Sequence, residues 1–61
     1  MQKLTLEKFK KILEKAIKDT GDFETYTNKD IGFNKNLENN EIVVVGEEDQ
    51  PTFTLTITQV D

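Results

Sequence analysis

The side chains of this sequence that could do chemistry are mostly carboxylates, in two short clusters. One cluster is Glu47, Glu48 and Asp49, and the other, Asp19 to Glu24, contains three acids. Acid–base catalysis by a carboxylate pair needs a cleft that raises one pKa, and both clusters fall on predicted exposed turns. Serine, cysteine and histidine are absent, so the usual nucleophilic triads are excluded. We therefore expect a protein that is not an enzyme.

The same residues do not form a recognisable metal or cofactor motif. The oxygen ligands of residues 19–24 lack the glycine and terminal glutamate spacing of a calcium-binding EF-hand. Without cysteine or histidine there are no ordinary zinc ligands. The glycines at 21, 32 and 46 are isolated, unlike those of a phosphate-binding loop. We expect no metal and no cofactor.

Charge is distributed unevenly along the chain, whose net charge is −4. Residues 1–19 carry six lysines and a net charge of +3, whereas residues 20–61 carry −7. The simplest interpretation is a solvated helix face with pairs such as Glu7 with Lys11 and Glu14 with Lys18. Because arginine is absent and the chain is acidic, direct nucleic-acid binding is disfavoured.

Two nucleic-acid hypotheses nevertheless stay open. In the first, a dimer joins two lysine-rich helices into one basic surface. In the second, carboxylates along the sheet imitate nucleic acid and occupy a basic groove of another protein. The acids available for such a mimic are Glu38, Glu41, Glu47, Glu48, Asp49 and Asp61.

The stretch from Leu4 to Gly21 predicts an amphipathic helix. At about 100° per residue its apolar side chains fall within an arc of about 140°, which is typical of a helix that lies on a sheet. Thr5 is the expected N-cap, and Gly21 can supply a left-handed C-cap. The apolar residues are Leu6, Phe9, Ile12, Leu13, Ala16 and Ile17.

Strand patterns follow the helix. Residues 22–28 predict a short strand, and residues 31–38 an irregular one that forms a hairpin with residues 41–46 through Asn39-Asn40. The apolar run Ile42–Val45 predicts a strand covered on both faces or centrally placed, and Thr52 to Val60 alternates cleanly. Pro51 begins this last strand, which we expect to pair antiparallel with residues 41–46.

Together these elements predict a single small α+β domain over residues 1–61. Its N-terminal amphipathic helix packs on one face of a three- to four-stranded antiparallel meander sheet, where Phe53, Leu55 and Ile57 meet the helix. One valine set, either Ile42/Val44 or Val43/Val45, is then left bare. A chain this short has a marginal core and no disulfide, so we expect a second copy to cover the bare set in a homodimer or larger homo-oligomer.

The sequence predicts a cytoplasmic protein with no membrane span, since no run is apolar enough for a signal peptide or a transmembrane helix. In size and composition it resembles the short acidic proteins of phages and mobile elements, many of which inhibit one host protein. The leading hypothesis is a non-enzymatic module that binds a protein partner by occupying its surface. The expected contact residues are Tyr26, Val43, Val45, Glu47, Glu48, Asp49, Thr54, Thr56 and Thr58.

Overall fold

The structure, a computed structural model, describes residues 3–30 and 36–61. Helix α1 spans Leu6–Lys18 and is followed by three strands, β1 (Glu24–Tyr26), β2 (Glu41–Val45) and β3 (Thr52–Thr56). The strands form an antiparallel sheet in the order β1-β2-β3. One helix and an antiparallel meander confirm the predicted α+β class.

Helix α1 begins and ends close to the predicted positions. The Oγ1 of Thr5 accepts a hydrogen bond of 3.2 Å from the Lys8 backbone N–H, so Thr5 is the N-cap as expected. At the other end the N–H of Thr20 donates to Ile17 and that of Gly21 to Lys18, which tightens the last turn. Gly21 then takes φ +81°, a conformation that glycine adopts without strain.

The strand register determines which side chains share a face of the sheet. Thr25 lies opposite Val44, and Val44 lies opposite Phe53. Ile42 and Leu55 form the next pair on the same face. The other face carries Glu24, Tyr26, Glu41, Val43, Val45, Thr52, Thr54 and Thr56.

Three packing predictions need correction. Helix α1 contacts mainly β1, which is the edge strand farthest from β3. Phe53 and Leu55 are therefore exposed instead of covered by the helix. Val43 is only 1% exposed although we expected one valine set to be bare, because β2 is central and places Tyr26 and Thr54 directly beside Val43.

The predicted hairpin between residues 33–38 and 41–46 is not the pairing that the structure shows. β2 pairs with β1 and β3, and residues 36–38 are not in a strand, while residues 31–35 lie outside the described part of the chain. The Asn39-Asn40 turn itself is present: the Glu41 N–H donates to the Glu38 carbonyl at 3.2 Å. It leads into β2 from a non-strand segment.

Candidate functional site

Strand β3 is exposed along its whole length. Phe53 is 64% exposed and Leu55 38% exposed on one face, and all three threonines of the strand are exposed on the other. Burial of apolar side chains is the main source of folding free energy for so small a chain. An exposed phenylalanine on a strand contributes little of that free energy. We call residues Thr52–Thr56 the β3 surface.

The backbone of β3 also has a free edge. The Ile57 N–H donates to the Asn40 carbonyl at 2.8 Å, which continues the β2–β3 ladder by one residue. Antiparallel ladders alternate, so Phe53 and Leu55 also direct their backbone groups toward β2. The N–H and C=O groups of Thr52, Thr54 and Thr56 then point outward, where no strand of residues 3–30 or 36–61 pairs with them.

A groove opens where β3 ends. It has a volume of about 340 Å³ and lies between the start of α1 and the segment after β3. Leu4 and Phe9 are exposed beside it, so its wall is partly apolar. Its lining residues are Leu4, Thr5, Leu6, Phe9, Ile57, Thr58, Gln59 and Asp61.

The predicted contact residues occupy two different environments. Glu47, Glu48 and Asp49 are exposed on the loop between β2 and β3, and Thr54, Thr56 and Thr58 are exposed on or just after β3. Val43 is buried, and Tyr26 and Val45 are partly buried. The loop precedes β3 and Thr58 follows it, so these exposed residues are spread along the strand from one end to the other, whereas Val43 is not accessible to a partner in this chain.

The acidic loop has a compact shape of its own. The Gln50 N–H donates to the Glu47 carbonyl at 3.0 Å, and Asp49 takes φ +71°. A Cβ on Gly46 would lie 2.8 Å from the Gln50 Cβ, so this approach requires glycine. Within the described residues no group of three acids is arranged to hold a metal ion.

Lys10 is a central residue that the sequence pattern did not single out. Its side chain is 2% exposed, and its Nζ donates to the Asn39 carbonyl at 2.7 Å and to Asn28 Oδ1 at 3.4 Å. These bonds join the helix to the turn after β1 and to the turn before β2. On a helical projection Lys10 lies only about 20° from Ile17, which is the signal that could have placed it on the buried side.

Glu7 completes the contacts around this lysine. Its carboxylate pairs with Lys29 at 2.9 Å and lies 3.9 Å from the Lys10 Nζ, instead of forming the expected pair with Lys11. The hydrogen bond from Lys29 lowers the pKa of the Glu7 carboxyl, desolvation opposes the shift, and the charges of Lys10, Lys29 and Lys11 support it. Deprotonated Glu7 therefore favours folding, and this contribution is lost as the pH falls below the ordinary value of 4.5 through the lowered pKa.

Thr25 carries a buried hydroxyl, and replacing it with valine is expected to raise the free energy of unfolding by about 1 kcal/mol. Within residues 3–30 and 36–61 its Oγ1 has no hydrogen-bond partner, so a methyl group of similar size removes a desolvation cost. Urea unfolding measures the change. The control Thr52→Val, at an exposed position, should stay within about 0.5 kcal/mol of the parent. A loss of stability in Thr25→Val would mean that the hydroxyl is hydrogen bonded in solution.

Comparison of the chain with protein-family models, curated proteins and solved structures found no match. In the part of the chain that the structure describes, no helix has the length and apolar character needed to cross a bilayer.

Proposed function

We propose that this protein is a non-enzymatic, self-associating protein-binding module that acts by occupying a partner's surface. The observation that supports the proposal is the β3 surface, where Phe53 and Leu55 are exposed on a strand whose outer edge is also unpaired in the described chain. Extended strands with a free edge bind partners through main-chain hydrogen bonds, and exposed side chains on the strand select among them.

The apolar side chains supply the affinity in this proposal. Phe53 is the largest anchor on β3, and aromatic residues dominate the binding energy of protein interfaces. The acidic loop Glu47–Asp49 immediately precedes the strand, so it contributes charge at the rim of the contact. Inhibition of a host protein would follow from such occupation if the partner's own site were covered.

The alternative in which two lysine-rich helices form one basic surface receives less support from the contacts of the helix. Lys10 is buried, and Lys15 is paired with Asp19 at 3.0 Å, so neither contributes fully to a row of free cations. The Lys8 Nζ donates a hydrogen bond to the Lys3 carbonyl. A basic surface formed by two helices would bind DNA with an affinity that falls steeply with salt, which distinguishes it from the β3 surface.

The proposal is tested by retention of proteins from an extract of the source cell on the immobilised chain. The variant Phe53→Glu should retain a specific partner at least about tenfold less well than the parent chain. The matched control is Val60→Glu, which makes the same change in charge at a residue that is 97% exposed and outside the sheet.

Quantitative mass spectrometry of the retained proteins gives the readout, with circular dichroism to show that both variants are folded. A partner kept by the parent and by Val60→Glu but lost by Phe53→Glu supports the proposal. Equal retention by all three chains, or no specific retention by any of them, contradicts it.

A further inference from the structure

The pattern of polar and apolar residues on the β3 surface reads the same in both directions along the strand. Its sequence is Thr-Phe-Thr-Leu-Thr, with an apolar residue on each side of a central threonine. We infer that the partner of this surface is a second copy of the chain, joined through antiparallel pairing of the two β3 strands about a two-fold axis at Thr54. The inference depends on the proposed function, because it assigns an occupant to the same surface.

Strand β3 itself carries none of three features that often prevent edge-to-edge pairing. Strands at sheet edges are commonly protected by lysine, by an internal proline, or by a bulge. β3 contains no charged residue, and Pro51 precedes it. All five of its residues pair in continuous register with β2, so no bulge bends the edge away.

Antiparallel pairing about Thr54 satisfies every outward backbone group of the strand. Thr52 of one copy lies opposite Thr56 of the other, and the two Thr54 residues face each other. Because these threonines direct their N–H and C=O groups outward, each of the three pairs exchanges two hydrogen bonds. The three strands of each copy then become one continuous six-stranded sheet.

The side chains are complementary in the same register. Phe53 of each copy meets Leu55 of the other, so the two most exposed apolar side chains of the strand cover each other. On the opposite face the threonines form cross-strand pairs, which are favourable neighbours in sheets. Shifting the register by one residue would place Phe53 among threonines and lose this match.

Charge favours the antiparallel orientation over the parallel one. The acidic loop Glu47–Asp49 lies before β3. The groove after β3 is lined by Leu4, and Leu4 also lines a neighbouring surface that is formed by Lys3, Lys8 and Lys11. Antiparallel pairing brings the acidic loop of one copy to the end of the junction where the other copy has these lysines. Parallel pairing would bring acidic loop to acidic loop. Asp61 lines the groove and Glu41 lies opposite Thr56 at the same end of β3, and both carboxylates oppose the attraction.

The test uses the fact that position 54 is paired with itself in this arrangement. Sedimentation or light scattering over a wide concentration range should show a reversible dimer of the parent chain. Thr54→Lys and Thr54→Glu each place two like charges on the axis and should raise the dissociation constant by about tenfold or more. An equimolar mixture of the two variants should restore association to within about threefold of the parent.

The variants are suited to this test because Thr54 is exposed in the monomer, and circular dichroism confirms that each is folded. A parent chain that stays monomeric overturns the inference, and so do variants that dimerise as well as the parent or a mixture that does not recover. A monomeric parent that still retains a protein through Phe53 would overturn the second-copy inference and leave the proposed occupation of a partner's surface intact.

Discussion

Replacing Lys10 with alanine is expected to lower the free energy of unfolding by about 2–4 kcal/mol, a large share of the stability of a domain of this size. The change removes the donor that the Asn39 carbonyl uses at 2.7 Å and leaves a cavity where the buried aliphatic stem packed. Single-core domains of this size rarely have more than about 3–5 kcal/mol to lose. Urea unfolding followed by circular dichroism measures the effect.

A second variant separates the two contributions of this lysine. Lys10→Met keeps an unbranched stem and removes only the charge and its hydrogen bonds, so it should cost about 1–2 kcal/mol. Lys11→Ala, at the exposed neighbouring position, is the control and should stay within about 0.5 kcal/mol of the parent. If Lys10→Met is more stable than the parent, the desolvation of the buried ammonium group costs more than its hydrogen bonds return.

Introducing lysine at Val43 should unfold the chain, at a cost of more than about 3 kcal/mol. Val43 is 1% exposed on the central strand, and its two cross-strand neighbours are Tyr26 and Thr54, neither of which carries a negative charge. An ammonium group at this position would have little access to water, and the acids nearest to it on this face, Glu24 and Glu41, lie two residues away along the strands. Far-UV circular dichroism of the purified variant gives the measurement.

Val45 provides the matched comparison for this prediction. It lies on the same strand and the same face but is only partly buried, so Val45→Lys should cost about 1 kcal/mol and leave the fold intact. Val43→Asp, whose side chain is too short to reach solvent, should be at least as damaging as Val43→Lys. A folded Val43→Lys chain would show that Val43 belongs to an interface and that the core lies elsewhere.

Local patterns in the sequence were sufficient to predict the helix, the strands and part of the strand pairing. The Thr5 cap, the helical period and the β-type alternation around Phe53 are properties of short segments, and α1, β3 and the β2–β3 pairing confirm the elements that they predict. These patterns depend on backbone geometry within one or two neighbouring segments. Phe9 and Ile12 of the predicted apolar face are nevertheless exposed, and β3 ends at Thr56 instead of Val60. The candidate surface could be predicted only in part, since the acidic loop and the threonines were named and Phe53 and Leu55 were assigned to the core.

The packing that the sequence did not predict depends on where the helix lies on the sheet, and no local pattern determines that position. The helix contacts β1, and this position buries Lys10 and leaves Phe53 uncovered. A wheel calculated from apolar side chains alone treats a lysine as part of the solvated arc, although its aliphatic stem can pack as an apolar group. The burial of Val43 similarly depends on β2 being central, which required knowing that β1 is its second neighbour.

The short length of β1 limits how large an assembly of this protein can become. A sheet that grows by edge pairing polymerises only if both of its outer strands accept another strand, as in amyloid fibrils. β1 has three residues, against five in β3, so its outer edge offers few main-chain hydrogen bonds to an incoming chain. In two copies joined through β3, the outer strands of the sheet would be the two short β1 strands, which pair poorly with a further chain. Growth would therefore stop at the dimer instead of continuing into fibres.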